Sequence, residues 1–324
     1  MQYEIIQTII KANLFHVFYS LFSMRCLSLK QLEAFYWAAT CDSFATAADK
    51  LHISQSSLSK RIVEMESSLG RALFDRSGRR STLTAEGRAL HSRARTLLNQ
   101  VDELVASIGA DTLIGGRCRL GVGEIAASSW LPKLVSRLGE RHPQLKLEPY
   151  VDLGLELETK LVSGKLDAAM IAYPSTHPDL ESVLLAEVEY IWVARSDKID
   201  GACKVEDLVK HLPVVTMSRQ AGSTRILDSW RHTSQVIIPD IIESNSMVTM
   251  AGLISAGVAI GYLPHGWLQP LLRNGTLKIL HSNTPLTKLQ YKFYWRSDDT
   301  RPLLAGLREV ALEMVDYDTP LLML

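Results

Sequence analysis

The hydrophobic pattern of the sequence changes at Gly115-Gly116, and this change constrains the fold more than any other feature. From Ser28 to Ile108, apolar residues recur at the spacing of three and four that is typical of helices. From Arg117 onwards, short apolar runs alternate with amphipathic segments, which is the order of strands and helices in an α/β domain. The 324 residues are enough for both parts. The sequence therefore predicts a helical N-terminal part followed by a separate α/β part.

The amino-acid composition limits the classes of protein to which this sequence can belong. A hydrophobic content of 47% and a charged content of 22% are ordinary for a globular protein. Because 35 Lys and Arg balance 35 Asp and Glu, any surface that binds nucleic acid must be local. The cysteines are scattered without a C-x-x-C pair or metal-ligand spacing, so we expect idle thiols rather than a redox sensor, no metal and no cofactor. They are Cys26, Cys41, Cys118 and Cys203.

Residues 1–26 are an N-terminal extension of unknown role. The stretch is apolar, but Glu4 and His16 interrupt it and no small-residue cleavage site follows, unlike a signal peptide. It is also too broken for a membrane span. Two interpretations stay open: an extra helix that packs on the body, or an artefact of the start site, since Met24 begins a more ordinary N-terminus. We expect a cytoplasmic chain without a membrane partner.

Three short helices are predicted between residues 28 and 70. Ser28 and Gln31 form a capping box at the start of the first helix. Ser43 and Ser54 are placed to cap the second and third helices. Gly70 is placed to end the third helix in the left-handed conformation. Three closely connected helices of this kind are typical of a helix-turn-helix.

A basic hairpin and a long helix follow. Between Leu73 and Leu83, two extended runs flank a glycine turn with three arginines, which predicts a wing. Thr84 then caps a long helix whose apolar positions are spaced alternately four and three. This spacing favours a dimer seam over an ordinary amphipathic helix. The positions are Leu90, Ala94, Leu97, Val101, Leu104 and Ile108.

The third helix presents polar residues opposite its apolar stripe. A recognition helix lays its N-terminal residues against base edges, where Gln suits adenine, Ser suits either pair and Lys or Arg reaches guanine or phosphate. Lys and Arg outnumber Asp and Glu between Lys50 and Arg95. A protein-contact domain with a solvated turn is the alternative. The predicted DNA-binding residues are Ser54, Gln55, Ser56, Ser59, Lys60, Arg61, Arg76, Arg79 and Arg80.

The second half is predicted to form two small α/β lobes with mainly parallel strands. Helices are predicted at Trp130–Arg141 and Glu156–Ser163, and a last one at about Arg301–Val315. The predicted strands are Arg119–Val122, Leu145–Val151, Asp167–Ala172, Leu185–Val193, Val214–Thr216, Val236–Ile242, Ala259–Leu263 and Leu289–Trp295.

The run from Ser43 to Ile62, SFATAADKLHISQSSLSKRI, resembles the signature of LysR-type transcriptional regulators. Further matches are Leu69–Arg76 and Leu83–Gly87, whereas Ser56 stands where the family usually has proline. The resemblance implies an α+β multidomain chain. A winged helix-turn-helix DNA-binding domain would span 27–83, a linker and dimerisation helix with a hinge 84–114, and an effector-binding domain 115–324.

The resemblance also implies that the C-terminal domain is a two-lobed α/β domain similar to periplasmic binding proteins. Gly164 and Asp167 match the family's L-x-x-G-x-x-D motif, and we assign them a structural role. An effector would bind in the cleft between lobes, at strand ends and helix N-termini. Three segments match the cleft, and helix capping is an equally supported role for Ser129 and Ser246. The predicted effector-binding residues are Glu124, Ile125, Ser128, Ser129, Ser223, Thr224, Arg225, Asn245 and Ser246.

Glu124 stands out in this set, because an acidic group would repel a carboxylate effector. Either Glu124 points away from the cleft, or the effector carries a donor such as an amine or a hydroxyl. The further partners that the resemblance implies are double-stranded DNA with a two-fold-related site, a homodimer that assembles into a homotetramer, and RNA polymerase.

Enzyme activity is not expected. The sequence has neither H-E-x-x-H nor G-x-S-x-G, and Gly121-Val122-Gly123 is only a fragment of a dinucleotide-binding loop. No catalytic residue is therefore assigned. The main alternative to a regulator is a small-molecule-binding protein of the same sensing fold that has lost specific DNA binding.

Overall fold

The computed structural model describes residues 27–41, 43–78, 81–108, 115–199 and 203–319. The predictions for residues 1–26, Arg79 and Arg80 lie outside the described residues, as do residues 109–114 of the predicted linker, dimerisation helix and hinge at 84–114. The chain divides into two compact units, Met1–Gly109 and Ala110–Leu324.

The first unit contains four helices and a two-stranded hairpin in its described part. The strands of the hairpin pair antiparallel, as predicted for the wing, with Phe74 opposite Leu83. The elements are α1 (Leu29–Thr40), α2 (Phe44–Lys50), α3 (Gln55–Leu69), β1 (Phe74–Asp75), β2 (Thr82–Leu83) and α4 (Ala85–Ile108).

The predicted helix caps of the first unit are confirmed. Ser28 and Gln31 form the capping box at the start of α1. The side chain of Ser43 accepts a hydrogen bond from the Thr46 N–H, and Ser54 does the same for α3. Gly70 ends α3 with φ of 61°, a left-handed conformation that glycine adopts without steric cost. These local rules set where the three helices begin and end.

The core of the first unit forms where α3 packs against the two preceding helices. Leu58, Ile62 and Met65 are completely buried along one stripe of α3. The small side chain of Ala47 is also completely buried and lets α3 approach α2 closely. Gly87, in the first turn of α4, packs against the backbone just before β1. A Cβ atom there would lie 2.2 Å from the Leu73 carbonyl oxygen.

The long helix α4 packs on this core through part of its length. Leu90, Ala94 and Leu98 contact the core of the first unit. Leu97 is 45% exposed and Leu104 is 61% exposed, although both belong to the predicted seam. The first part of the predicted seam therefore packs on the core of the first unit, and the later part has exposed apolar side chains.

In the part that the structure describes, the second unit consists of two lobes, each built on a five-stranded sheet. The first lobe has strand order β4-β3-β5-β12-β6, and the second lobe has order β11-β7-β10-β8-β9. Single-turn 3₁₀ helices lie at Ser196–Lys198 and Gly266–Leu268. The other elements are β3 (Gly116–Val122), α5 (Glu124–Ser128), α6 (Leu131–Arg141), β4 (Leu145–Val151), α7 (Gly154–Val162), β5 (Ala168–Ile171), β6 (Leu180–Val188), β7 (Tyr190–Arg195), α8 (Val205–Leu208), β8 (Val214–Met217), α9 (Thr224–Ser234), β9 (Ile241–Ser244), α10 (Met247–Ser255), β10 (Ile260–Pro264), α11 (Gln269–Arg273), β11 (Leu277–Ile279), β12 (Leu289–Arg296) and α12 (Pro302–Met314).

The prediction of mainly parallel strands is wrong, because the sheets are mixed. Strands β4 and β5 run parallel to β3, and β9 and β10 run parallel to β8. Strand β12 runs antiparallel to β5 and β6, and β7 runs antiparallel to β10 and β11. The antiparallel pairs arise because the chain crosses between the lobes twice and each crossing brings in a strand of opposite direction.

Two predicted strands have different bounds. The predicted strand Leu185–Val193 is two strands, β6 and β7, because the chain leaves the first sheet at Glu189 and enters the second. The predicted strand Val236–Ile242 begins only at Ile241. Pro239 lies within that apolar run and has no N–H for a sheet hydrogen bond.

The turn before β5 has the structural role that was predicted for it. Gly164 has φ of 71° and supplies the left-handed residue of the turn. Asp167 is 2% exposed, and its carboxylate accepts hydrogen bonds from the backbone N–H and Nε of Arg119 at 2.8 and 3.2 Å. Its other oxygen accepts from Arg301 at 2.6 Å. These bonds join β3, the loop before β5 and the start of α12.

Candidate functional site

The N-terminal part of α3 forms an exposed polar surface. Ser54 precedes the helix, and its hydroxyl lies 2.9 Å from that of Ser56 while it caps the Ser57 N–H. Gln55, Ser56 and Lys60 are exposed, whereas Ser59 is partly buried at the edge of the core stripe. Residues four apart share a helix face, so Gln55 and Ser59 lie one turn apart on the same surface. This surface has the residue types and placement that reading base edges requires.

The cationic residues around this surface differ in how they are held. The side chain of Lys60 is 79% exposed and lies 4.0 Å from Glu64. Arg61 is partly buried at the flank of α3. Arg76, beside the hairpin, pairs with Glu66 at 3.1 Å. Glu66 also accepts hydrogen bonds from two backbone N–H groups at the start of β1. One carboxylate therefore holds both the hairpin and the side chain of Arg76.

A cavity of about 400 Å³ lies in the second unit where strand ends of both lobes meet. It is bordered by the carboxyl ends of β3, β4 and β5 from the first lobe and of β8 and β9 from the second. Clefts outside the carboxyl ends of parallel strands are the usual ligand sites of α/β sheets. The lining residues are Gly123, Glu124, Ile125, Val151, Asp152, Leu153, Gly154, Ile171, Ala172, Tyr173, Met217, Gln220, Ala221, Gly222, Ser223, Asn245, Ser246, Met247 and Tyr291.

The structure brings five of the nine predicted effector-binding residues together around this cavity. They are Glu124, Ile125, Ser223, Asn245 and Ser246. The five residues come from both lobes and are far apart in the sequence. They meet only because the chain folds.

The other four predicted residues lie outside the cavity lining. The hydroxyls of Ser128 and Ser129 turn back onto carbonyl oxygens of α5, at 2.7 and 2.6 Å respectively. Thr224 donates to the Ser218 carbonyl oxygen at 2.8 Å and thereby holds the loop before α9. Arg225 is exposed. Three of the four therefore use their hydroxyls for hydrogen bonds to nearby backbone carbonyl oxygens. The alternative of helix capping is wrong for Ser129, because its hydroxyl donates to a carbonyl oxygen instead of accepting from a helix N–H.

Glu124 connects the two lobes across the cavity. It begins α5 after β3, and its carboxylate reaches the start of α10 in the second lobe. Ser246 donates its hydroxyl to Oε1 of Glu124 at 2.9 Å, and the Met247 N–H donates to Oε2. Ser246 also accepts a hydrogen bond from the Thr249 N–H as the cap of α10. The carboxylate of Glu124 thus occupies the place at a helix N-terminus that favours an anion.

Two further contacts hold the lobes together beside the cavity. The Leu155 N–H, at the start of α7, donates to the Gln220 carbonyl oxygen of the second lobe at 3.1 Å. Gly222 packs against the backbone after β5, where a Cβ atom would lie 2.5 Å from the Ala172 carbonyl oxygen. Only glycine permits this approach. The lobes therefore meet closely around the cavity.

Residues after β4 and β5 also line the cavity, and the sequence interpretation missed them. Asp152 accepts hydrogen bonds from Lys160 at 2.5 Å and from the Leu153 N–H at 2.9 Å. Burial opposes its ionisation, but these hydrogen bonds prevail and hold the pKa of Asp152 below its ordinary value. Tyr173 follows β5 and lines the same wall. Asp152 and Tyr173 directly follow predicted strands, and this position could have identified them. The carboxyl ends of all parallel strands in one sheet lie at the same edge, where ligands bind.

The floor of the cavity includes Tyr291 from the returning strand β12. Its hydroxyl lies 3.0 Å from the hydroxyl of Tyr190, the first residue of β7. Burial raises the pKa of Tyr291 to about 12, although the bond to Tyr190 opposes the shift. The phenol is therefore neutral at physiological pH. The pair joins the two strands that carry the chain between the lobes.

Neither a metal-binding cluster nor a membrane-spanning helix is found in the described part of the chain. No cluster of three or more His, Cys, Asp or Glu side chains with metal-binding geometry occurs among the described residues. Within the same residues, no helix is both long and apolar enough to cross a membrane.

The fold and the two sites define a class of protein: a winged helix-turn-helix unit joined to a two-lobed unit with an interlobe cavity. Comparison with protein-family models gives the family. Residues 29–88 match the model described as bacterial regulatory helix-turn-helix protein, lysR family. Residues 112–316 match the LysR substrate binding domain. The chain therefore belongs to the LysR family of helix-turn-helix transcriptional regulators.

Curated relatives agree with this assignment. The chain is 27% identical over 267 residues to the uncharacterized HTH-type transcriptional regulator YusT of Bacillus subtilis, a match that covers 82% of this chain and 89% of the relative. It is 38% identical over 165 residues to a probable hydrogen peroxide-inducible genes activator of Mycobacterium xenopi, covering 51% and 87% of the two chains.

Solved structures share the fold. A cysteine mutant of OxyR from Corynebacterium glutamicum matches with a TM-score of 0.55 and 26% identity, covering 89% of this chain and 92% of that one. A full-length OxyR variant from Pseudomonas aeruginosa matches with a TM-score of 0.63 and covers 90% and 96% of the two chains. At 20% identity, the second match shows the fold alone.

Proposed function

We propose that this regulator reads a two-fold-related promoter site with the exposed start of α3, and that a small molecule in the interlobe cavity changes promoter binding. The observation that carries the DNA part is the polar surface of Gln55, Ser56, Ser59 and Lys60 on a well-packed helix. Ser54 and Arg61 border this surface. Arg76 would contact phosphate, which positions the protein without reading sequence.

The two-fold site follows from dimerisation through α4. Leu97 and Leu104 are exposed apolar residues of the seam spacing, and a second copy of α4 would bury them. We propose that the dimer assembles into a homotetramer through the second units and that RNA polymerase is a partner at the promoter. A promoter-binding regulator of this kind works in the cytoplasm. The proposed domains are 27–83 for DNA binding, 84–114 for linkage and dimerisation, and 115–324 for effector binding.

The effector site is supported by the convergence of strand ends from both lobes. A ligand there would contact Glu124, Ser223, Asn245 and Ser246, which face one cavity of about 400 Å³. Because these residues belong to different lobes, a ligand that contacts both would change the interlobe contacts. An effector shifts a conformational equilibrium only if it binds the two arrangements of the lobes with different affinity.

A gel-shift titration tests the DNA part. The full-length protein is titrated against its own upstream region and against a shuffled sequence of equal length, at several salt concentrations. We expect preference for the upstream region and affinity that falls as salt rises, because phosphate contacts release counterions. If binding neither prefers that region nor weakens with salt, the regulator proposal fails. A chain that binds ligands but shows no such DNA binding would instead be a sensing protein that has lost this role.

A further inference from the structure

The charge of the interlobe cavity restricts the chemistry of its ligand. Among the described residues that line it, the charged side chains are Glu124 and Asp152, and none is Lys, Arg or His. Asp152 is balanced by an ion pair with Lys160, which is not among the lining residues. Glu124 is bonded only to neutral donors by the hydrogen bonds described above, the Ser246 hydroxyl and the Met247 N–H. The cavity therefore has an excess of negative charge.

The place that would suit a ligand carboxylate is already filled. At the N-terminus of α10, the Ser246 hydroxyl and the Met247 N–H both donate to Glu124. The Thr249 N–H, two residues further on, is satisfied by the cap. A ligand carboxylate would have to displace Glu124 and then lie beside its uncompensated charge.

Glu124 retains capacity for a ligand of the opposite charge. An ionised carboxylate has about four lone-pair positions, and two of them are used by the second lobe. A ligand N–H group can donate to the remaining positions without breaking the existing bonds. Tyr173 and Tyr291 line the same cavity, and aromatic side chains attract cations.

We propose that Glu124 is the specificity-determining residue of the cavity, and that the effector carries an ammonium or guanidinium group instead of a carboxylate as its principal charge. This inference rests on the proposed effector site. Glu124 already joins the lobes through its bonds to Ser246 and Met247. A cation that binds Glu124 would therefore contact the same side chain that holds the lobes together. The effector class and the interlobe contact thus depend on one side chain.

The test uses three probes with the same four-carbon spacing and different charge: 1,4-diaminobutane, 1,4-butanediol and succinate. Each is titrated into the full-length protein by isothermal calorimetry. We expect the diamine to bind at least about tenfold more tightly than succinate, since a cation next to a partly buried carboxylate gains at least this factor. The Glu124→Gln variant removes the charge and keeps the shape, so we expect this preference to disappear.

Two controls separate charge from folding. Glu140→Gln makes the same change at an exposed position of α6, where the side chain pairs with Arg137, and it should leave the preference intact. Thermal unfolding of each variant shows whether it folds. Tighter or equal binding of succinate to the wild type, or an unchanged preference in Glu124→Gln, overturns the inference and leaves the effector site standing. Binding of none of the three probes overturns both, and the gel-shift result stays independent of either.

Discussion

The buried ion network around Asp167 gives a prediction whose size follows from the structure. Asp167 is 2% exposed and is bonded to Arg119, which has 14% exposure, and to Arg301. Asp167→Asn keeps the shape of the side chain but leaves the Arg119 cation uncompensated, whereas Arg301 keeps its bond to Asp299. Breaking a buried pair by removing one partner costs about 3–5 kcal/mol. Because Arg301 keeps a partner, we expect about 3 kcal/mol, the lower end of that range.

The assay is urea unfolding of the full-length protein followed by tryptophan fluorescence. Five of the six tryptophans lie in the second unit, so the signal reports mainly on the unit that contains Asp167. For a domain of this size, a loss of about 3 kcal/mol also lowers Tm by about 6–12 °C. The matched control is Asp197→Asn, because Asp197 pairs with Arg195 on the surface at 57% exposure. That change should cost at most about 1 kcal/mol.

Equal losses in the two variants would refute the reasoning, because the loss would not depend on burial. A normally stable Asp167→Asn protein that fails to bind the upstream DNA would refute it differently. In that case the residue would have a functional role and the structural assignment would be wrong.

The remaining predictions concern close approaches and one carboxylate. Gly87→Ala places a Cβ atom 2.2 Å from a backbone oxygen, so it should destabilise the first unit by about 1–3 kcal/mol and weaken DNA binding in a gel shift. Gly222→Ala should destabilise the second unit by a similar amount in urea unfolding, because its Cβ would lie 2.5 Å from first-lobe backbone. Gly139→Ala, with nothing within 4 Å, is the control for both, and a loss equal to theirs would contradict the steric argument. Burial of Glu206 opposes ionisation, but hydrogen bonds from Ser282 and backbone N–H groups prevail and hold its pKa below 4.5. The ionised group therefore stabilises the protein above pH 4.5, and this contribution is lost as pH falls through the lowered pKa. The stability difference between wild type and Glu206→Gln should shrink on acidification, and a constant difference would contradict the account.

Local rules explain why much of the first unit could be predicted from the sequence. Ser54 and Gly70 mark the ends of α3 through hydrogen bonds and backbone conformation within a few residues. The apolar stripe of α3 predicts its buried face for the same reason. Such features depend only on neighbouring residues, so a single sequence contains the information.

Long-range features could not be predicted in the same way. The chain changes sheets at Glu189 within one predicted strand, and apolar spacing does not show which sheet a strand joins. Glu124 meets Ser246, a residue 122 positions further along the chain, so only the fold reveals that it connects the lobes. Asp152 lacked the hydroxyl or amide that marked the other segments, although it follows a correctly predicted strand. Hydroxyl-rich segments predict only some of the cavity-lining residues, because a hydroxyl can bond to its own helix instead, as that of Ser129 does.

The central claim is that the start of α3 reads DNA sequence, and fluorescence anisotropy tests it most directly. Wild type, Ser59→Ala and Arg76→Ala are titrated with the upstream region and with single-base variants of it. We expect Ser59→Ala to reduce discrimination between these sequences, whereas Arg76→Ala weakens binding to all of them about equally and lowers the salt slope by about 1. If both substitutions affect every sequence alike, the reading surface has been assigned to the wrong face.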